Sequence, residues 1–496
     1  MDDRRRVVAD ALDRYRELAD LPLEGGYPTA EVAGALATEL YFQRAVQTYL
    51  WALPAVNLFA MRESIGRDFG HGYNVMAVYE QRLKPNTLIT TPNSDVIYGL
   101  CFIDLSETGP LVVEAAPMVQ GLVDDAWHRP LVGPVVDGVQ YLADIGIPGP
   151  DQGKGGKYLI VREGDDPGTD ASDYFVYTSP TNGIYMLLRG FFRSVDDLAP
   201  GVAHIEGISL RPLHGDAQPM DYAHASDAPA DAIFAHDASY FEMLDRVIQS
   251  ERDDVVDPYM HGVLAALGIR RGHPFAPTDR QRDLLDLAAK TAWRMAKGIA
   301  ADFDEGDNAL WWSDRRWIAH ARTITDDFYR TLIDERFCDR DTGHTDIDAK
   351  AHMFINHFSI STGMMSVTPG KGAKYCNAYK DSDGNYLRGE HTYRIDLPAD
   401  APADILWSLT VYDAETASGV DAEGQAYPSL NSMNPIAAND DGTYTIVVGP
   451  ERPADATNWL KTVPGRGWFG LLRWYGPKAE FFDRHYKPGD FVKIDV

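Results

Sequence analysis

The sequence predicts an α+β protein: two antiparallel β-sandwich-like domains joined by a helical middle segment and preceded by an N-terminal helix. Three observations lead there. Apolar groups recur at three- and four-residue spacing in 33–65 and again through much of 181–365. Short β-branched and aromatic runs, cut by Gly, Pro and Asp, fill 86–180 and 374–496. At 496 residues the chain also exceeds one simple core, so two or three domains are expected.

Taken in order, "AGALATELYFQRAVQTYLWALPAVNLFAMRESI" (33–65) reads as one long helix, kinked at Pro54 because proline removes a backbone donor. "VIYGLCFIDLS", "GPLVVEAAP", "GKYLIVREG" and "DYFVYTSP" read as strands. "DASYFEMLDRVIQS", "RDLLDLAAKTAWRMAKGIAADF", "RWIAHARTITDDFYRTLIDERF" and "DIDAKAHMFINHFSIS" read as helices. "HTYRIDLP", "DILWSLTVYD", "GTYTIVVGP" and "WFGLLRWYG" alternate as antiparallel strands do. The expected division is N-terminal helices in 1–70, a first β domain in 71–200, a helical middle in 201–370 and a C-terminal β domain in 371–496.

Composition excludes several classes of partner. There are 46 basic and 74 acidic residues, a formal net charge of −28, which repels phosphate backbones and anionic lipid. Neither nucleic acid nor a membrane is therefore an expected partner; a small-molecule substrate is, and self-association into a homo-oligomer is left open. Three cysteines are too few and too scattered for a disulfide framework or a thiolate metal site. The first twenty residues are charged and helical in period, without an apolar h-region, and no stretch reaches the roughly 18 unbroken apolar residues of a membrane span. A cytoplasmic protein is expected.

No phosphate loop, dinucleotide fingerprint, His-Glu-x-x-His or Gly-x-Ser-x-Gly elbow is present. "GKGGK" (153–157) lies between β runs with no helix behind it and reads as a hairpin. His352 and His357 are five apart, poorly aligned on a helix for a shared metal, and read as packed or surface residues. "DSDGNYLRGEHTYRI" (381–395) lacks the bidentate Glu and the flanking helices of a Ca²⁺ loop and reads as a hairpin turn. No metal ligands are assigned.

What remains is a set of polar and aromatic clusters at strand ends. "TTPNSDVIYG" (90–99) is either a turn docking the long helix on the first β domain or a pocket wall presenting Asp95 and Tyr98. In "GLVDDAWHRP" (121–130), Asp124 and His128 would share a face on a strand as a carboxylate–imidazole base pair, with Asp125 and Trp127 beside them; on a turn the two need not meet and His128 reads as a loop residue. In "WSLTVYD" (407–413), Trp407 lies on one strand face and Tyr412 on the other. Asp413, Asn458, Arg473 and Tyr475 are the polar candidates of the last domain. A strand Arg such as Arg473 either closes a sandwich by an ion pair or clamps a carboxylate or phosphate.

Together these segments resemble a tandem of bacterial domains of unknown function, numbered twelve fifty-four (N-terminal) and twelve fourteen (C-terminal). The resemblance rests on "TTPNSDVIYGLCFIDLSETGPLVV", on "PTNGIYMLLRGFF" (180–192), whose Thr-Asn is expected to lead into a helix, and on "LWSLTVYD", "DDGTYTIVVGPERP", "TNWL" and "LLRWYGP". It implies two β-rich domains around a helical insert. Pro92, Asn93, Asp95 and Tyr98 match its pattern, as do Trp407, Tyr412, Asp413, Asn458, Trp459, Arg473 and Tyr475.

Polar side chains converging at strand ends more often line a cleft than hold a fold. The leading expectation is thus an enzyme, a hydrolase or lyase, acting on a small, partly apolar molecule between the two β domains by cofactor-independent acid–base chemistry. Asp95, Tyr98, Asp124 and His128 are the candidate catalytic residues. Asn93, Trp127, Trp407, Tyr412, Asn458, Trp459, Arg473 and Tyr475 are the candidate substrate contacts. A non-catalytic β-sandwich protein binding a ligand or carbohydrate is the second reading. A metal- or haem-dependent oxidoreductase is the third; no cofactor is otherwise predicted.

Overall fold

The structure is a computed structural model and describes residues 12–168, 170–228, 230–302, 310–319, 338–339, 343–365, 367–433 and 436–495. The long helix spans Ala30–Phe69. Thr29 caps it, its hydroxyl accepting from the Val32 amide at 3.3 Å, and it stops at Gly70, whose φ of +92° suits glycine. Pro54 lies inside it, and every residue from Ala52 to Met61 is buried. That run is apolar all round, so it is buried all round. The helices Ser239–Ser250, Pro258–Leu267, Asp279–Asp302 and Ile347–Asn356 pack around it. Asp279–Asp302 turns Ala288, Ala292, Ala296 and Ala300 into that contact, small side chains that let helices approach closely.

The first β unit is two six-stranded sheets. One runs in the order Ile208–Pro212, Leu111–Ala115, Gly156–Arg162, Phe175–Ser179, Val132–Val136, Val139–Leu142. The other, here the inner sheet, runs Asp221–His224, Val75–Tyr79, Ile97–Asp104, Gly183–Gly190, Gln120–Asp125, Asp144–Gly146. Ile97, Cys101, Val123, Met186 and Leu188 of the inner sheet pack on Val113, Tyr158, Ile160 and Leu210 of its partner. Side chains alternate between faces, so Tyr98, Leu100, Leu122, Tyr185 and Leu187 point the other way, into a second core shared with the helices.

The second β unit repeats the plan. A five-stranded sheet, Ile318–Ala319, Ala373–Ala378, Trp468–Pro477, Ala403–Asp413, Ser429–Asn431, stacks on a four-stranded one, Asn458–Lys461, Tyr444–Gly449, Thr392–Leu397, Val492–Ile494. Leu409, Val411, Leu472 and Trp474 meet Ile395, Ile446 and Val448 between them. Tyr375, Leu406, Tyr412, Leu471 and Tyr475, on the opposite face of the larger sheet, join the same helix-lined core as the inner sheet of the first unit. The α+β architecture is as expected, and among the described strands parallel pairing occurs where 221–224 meets 75–79, 156–162 meets 175–179 and 446–449 meets 458–461.

The structure corrects one assignment. "PTNGIYMLLRGFF" does not lead into a helix: Gly183–Gly190 is a strand at the middle of the inner sheet, and further strands follow at Ile208–Pro212 and Asp221–His224. An unbroken apolar run suits a strand covered on both faces as well as a helix, and periodicity cannot separate the two. Most of "RWIAHARTITDDFYRTLIDERF" lies outside the described residues; its beginning, Ile318–Ala319, is a short strand on Ala373–Ala378. The Asp381 turn is the hairpin expected, its carboxylate accepting from the amides of Asp383 and Asn385 at 3.0 and 2.8 Å.

Candidate functional site

The 90–99 stretch is a turn, and it docks the first β unit on the second rather than on the long helix. Thr91 takes φ +41°, its amide donating to the Ala417 carbonyl at 2.6 Å. Asn93 accepts from the Asp95 amide at 2.8 Å, an Asx turn, and its own amide donates to the Tyr475 hydroxyl. The Tyr412 hydroxyl donates to the Pro92 carbonyl at 2.5 Å, and Arg473 donates to the Thr91 carbonyl at 3.3 Å.

Asp95 is buried at the centre of this clasp. Its carboxylate is paired with Arg82 at 3.1 Å and accepts from Ser429 at 2.9 Å and Asn431 at 2.5 Å. A carboxylate that holds Arg82 of the first unit and Ser429 and Asn431 of one strand of the second is a fastener, so its expected role as general base is corrected. Tyr98 does face the seam. Burial pushes its hydroxyl up to about 12 against the fields of Arg189 and Arg473, so at neutral pH it is a hydrogen-bond donor.

The registers explain which side chains meet. Across the inner sheet, Tyr98 pairs with Arg189, Tyr185 with Asp124 and Leu122 with Asp144, so all six share one face. In the second unit Tyr375 pairs with Arg473, and Arg473 with Ser408, on the face turned towards the first. Arg189 and Asp144 escaped the sequence reading because each interrupts an apolar strand, in "GIYMLLRG" and "YLADIGIP", where a charge has no function visible from spacing. That interruption was the available signal, and it also marks Lys374. Asp144 accepts from the Gly363 amide at 2.9 Å; burial pushes its carboxyl up to about 7, against that bond and the positive fields of Arg189 and Lys374. Burial brings Lys374, which donates to the Gly363 carbonyl at 2.8 Å, down to about 7.

At the other end of the same face lie Asp124 and His128. Asp125 shapes the turn that presents them: its carboxylate accepts from the amides of Trp127 and Arg129 at 2.8 and 2.9 Å and pairs with the Arg129 side chain. The turn closes with His128 at φ +55°. Its imidazole is fully buried, stacked on Phe354 (5.3 Å, 15°) and edge-on to Tyr185 (5.8 Å, 87°), with Nδ1 3.9 Å from Asp124 Oδ2. Neither ring nitrogen has a hydrogen-bond partner among the described residues, nor has Asp124 Oδ1; Asp124 Oδ2 accepts from the Ile360 amide at 3.2 Å. Burial drives Asp124 well above the carboxylate range, with the charges of Asp125 and Asp144 adding to it, and takes His128 down to about 3. Burial thus favours the uncharged form of both groups.

His128 of this pair lines a cleft of about 430 Å³ walled also by Trp51, Trp127, Phe354 and Ile360, between the inner sheet and the helices Ala30–Phe69 and Ile347–Asn356. Trp51 and Trp127 stand 6.3 Å apart at 58°, and exposed Asp254, Asp257 and Asp348 sit at its rim. Trp51 and Phe354 were not singled out in the sequence, because an aromatic at helical spacing reads as core.

The remaining candidates do not join either cluster. Trp407 packs inside the second sandwich, tilted on Tyr444 at 5.2 Å. Asn458 exchanges hydrogen bonds with Ala437 and donates to the Thr445 carbonyl at 2.9 Å, while Trp459 Nε1 donates to the Gly449 carbonyl at 3.2 Å. Their expected substrate contacts are corrected: backbone groups occupy those donors and acceptors. Asp413 is ion-paired with Arg466 and caps its own turn through Glu415 and Thr416. His357 is a packed residue, its ring between Thr91 Oγ1 (2.9 Å) and Asn377 (3.1 Å). Among the described residues no three His, Cys, Asp or Glu side chains gather as metal ligands would, and no helix is long and apolar enough to cross a membrane.

Two family models match the chain. One, described as a protein of unknown function (DUF1254), covers residues 73–212; the other, a protein of unknown function (DUF1214), covers 372–479. No curated protein matches it. Among solved structures it is similar to the VPA0106 protein of Vibrio parahaemolyticus, at 15% identity over 92% of this chain and 100% of that one, with a TM-score of 0.52. It is also similar to a putative uncharacterized protein of Burkholderia cenocepacia, at 14% identity over 92% and 95% of the two chains, with a TM-score of 0.41. The first of these likenesses bears on the fold alone. With one matched segment in each β unit, in the expected order, the chain carries the DUF1254 and DUF1214 domains in tandem.

Proposed function

We propose that this protein is an enzyme acting on a small, partly apolar molecule held in the Trp51–Trp127–Phe354 cleft, by hydrolysis or elimination with the Asp124–His128 pair moving the proton. The observation that carries the reading is the imidazole of His128: buried against the cleft, 3.9 Å from the Asp124 carboxyl, with neither ring nitrogen bonded among the described residues. A buried polar ring without partners is costly unless a ligand or water completes it. The aromatic walls would hold the apolar part of a substrate by burial and stacking. His128, which lines the cleft, would take the proton of an attacking water or of the substrate's C–H and return it to the leaving group, with the Asp124 carboxyl beside its ring. The partner is a small molecule, since the formal net charge of −28 opposes nucleic acid.

The test is a screen of aryl esters and β-substituted carboxylic acids for turnover, repeated with His128→Asn. Loss of activity by roughly 10²–10⁴-fold, with the melting temperature retained, supports the pair as the acid–base group. Activity that survives the substitution removes it. Compounds that quench tryptophan fluorescence through Trp127 yet are never turned over would favour the non-catalytic ligand-binding reading.

A further inference from the structure

The second cluster, where the two β units meet, has a charge balance that folding does not account for. Arg473 is buried, with Nη1 donating to Thr410 Oγ1 at 2.9 Å and Nη2 to the Tyr412 hydroxyl at 2.6 Å and the Thr91 carbonyl at 3.3 Å. Arg189 is buried across the seam; it meets the side chain of Tyr375 and the Met364 sulfur (3.8 Å), and its Nε has no partner among the described residues. Neither guanidinium is ion-paired with a carboxylate among the described residues. Arg82, on the same side of the inner sheet, shows the contrast: its charge is met by Asp95 at 3.1 Å.

The other titratable groups facing the two arginines do not cancel them. Tyr98 and Tyr475 lie within the field of both guanidiniums, and burial keeps their hydroxyls protonated at neutral pH. Asp144 lies in the fields of both Arg189 and Lys374, so one carboxyl, raised to about 7, faces two basic groups, of which Lys374 is lowered to about 7. Two cations are thus left in a layer of tyrosine hydroxyls, which donate, and of guanidinium N–H groups, which donate too. A buried charge is retained when something of opposite sign completes it. Planar guanidinium groups with hydroxyl donors beside them are the chemistry that recognises an oxyanion.

We propose that Arg189 and Arg473, with Tyr98, Tyr375 and Tyr475, form a binding site for the oxyanion group of a small molecule, a carboxylate or a phosphate, at the seam between the two β units. Arg189 also lines a narrow opening bounded by Asp144, Ser361, Gly363, Met364 and Gly372. The site is separate from the Asp124–His128 pair. Arg189 is four residues along its strand from Tyr185, the cross-strand partner of Asp124, or about 13 Å at the usual rise per residue.

The experiment is thermal melting and isothermal titration of the full chain with sodium phosphate or sodium acetate, each against sodium chloride at matched ionic strength. A saturable rise in melting temperature with phosphate, acetate or both, and a titration isotherm with stoichiometry near one, is expected; which salt acts tells phosphate from carboxylate. Arg189→Met, which removes the charge but keeps the length, should abolish the response while leaving the melting temperature in chloride unchanged or higher. No saturable response to either anion in the unaltered protein overturns the proposal. A response retained by Arg189→Met overturns it as well, as does a response too weak to saturate, which would mark an adventitious ion only. The readout is binding, so it stands whether or not His128 proves catalytic.

Discussion

The Tyr412 hydroxyl donates to the carbonyl of Pro92 at 2.5 Å, joining residues 320 apart in the chain. Around that bond the 90–99 turn and the larger sheet of the second β unit interlock through Asn93–Tyr475, Asp95–Ser429, Asp95–Asn431 and Arg473–Thr91. The seam is therefore polar at its centre, where two otherwise apolar sheet faces meet, and its hydrogen bonds set how the two units register.

Asp95→Ala should destabilise the protein strongly, by about 3–5 kcal/mol, because Arg82 is left buried without a counter-charge. Asp95→Asn keeps the shape but not the charge and should fall between. Urea unfolding of both variants measures this; a loss below about 1 kcal/mol for the alanine would mean the clasp contributes little.

Asp124→Asn should change how stability depends on pH. Asp124 keeps its proton in the folded state, whereas unfolded it gives that proton up near pH 3.9. Its folded pKa is raised, so its contribution is full below about pH 3.9 and is lost as pH rises towards the folded value. Buried His128 has the opposite sign: lowered to about 3, it stays neutral in the folded state while the unfolded ring binds a proton below about pH 6.5. Between about pH 3.9 and 6.5 the pair binds one proton in both states and is silent. Removing Asp124 unmasks His128, so the variant should gain stability on the unaltered protein by about 1.4 kcal/mol per pH unit through that window. Parallel stability curves for the two proteins from pH 4 to 6.5 would contradict the assignment.

Gly372→Ala should be severe. Gly372 has φ +66°, and an added Cβ would fall 1.8 Å from the Gly363 carbonyl oxygen, backbone that cannot swing aside. The cost should exceed about 2 kcal/mol from strain alone and reposition the opening beside Arg189. Thermal melting reads the first effect, and loss of the phosphate or acetate response reads the second.

Trp407→Ala should lower stability by about 3–5 kcal/mol through the cavity left in the second sandwich. Ligand affinity in the Trp51–Trp127 cleft should be unchanged, measured by fluorescence titration at a temperature where the variant is folded. A matching drop in affinity would connect Trp407 to the cleft after all.

The α+β order, the positions of most strands and the long helix were readable because each rests on local pattern: apolar spacing, β-branched runs, turn residues. Gly183–Gly190 was not, since a strand covered on both faces loses the alternation that identifies strands. The pairing of Asp124 with His128 was legible as a spacing of four, and so was a polar role for Arg473. The sequence could not show that Asp95 is bound by Arg82, Ser429 and Asn431, the last two more than 330 residues away.

By itself, then, the sequence determined the elements, the tandem of β units and the residue types at their strand ends, because backbone preference and hydrophobic period act over a few residues. The tertiary structure decided which of those polar groups are consumed as fasteners and which are left without partners. That decision turns on register and burial: which side chains share a sheet face, and which lose water without gaining a protein partner. Asp95, Asn458 and Trp459 gained theirs, whereas among the described residues His128 and the Nε of Arg189 did not.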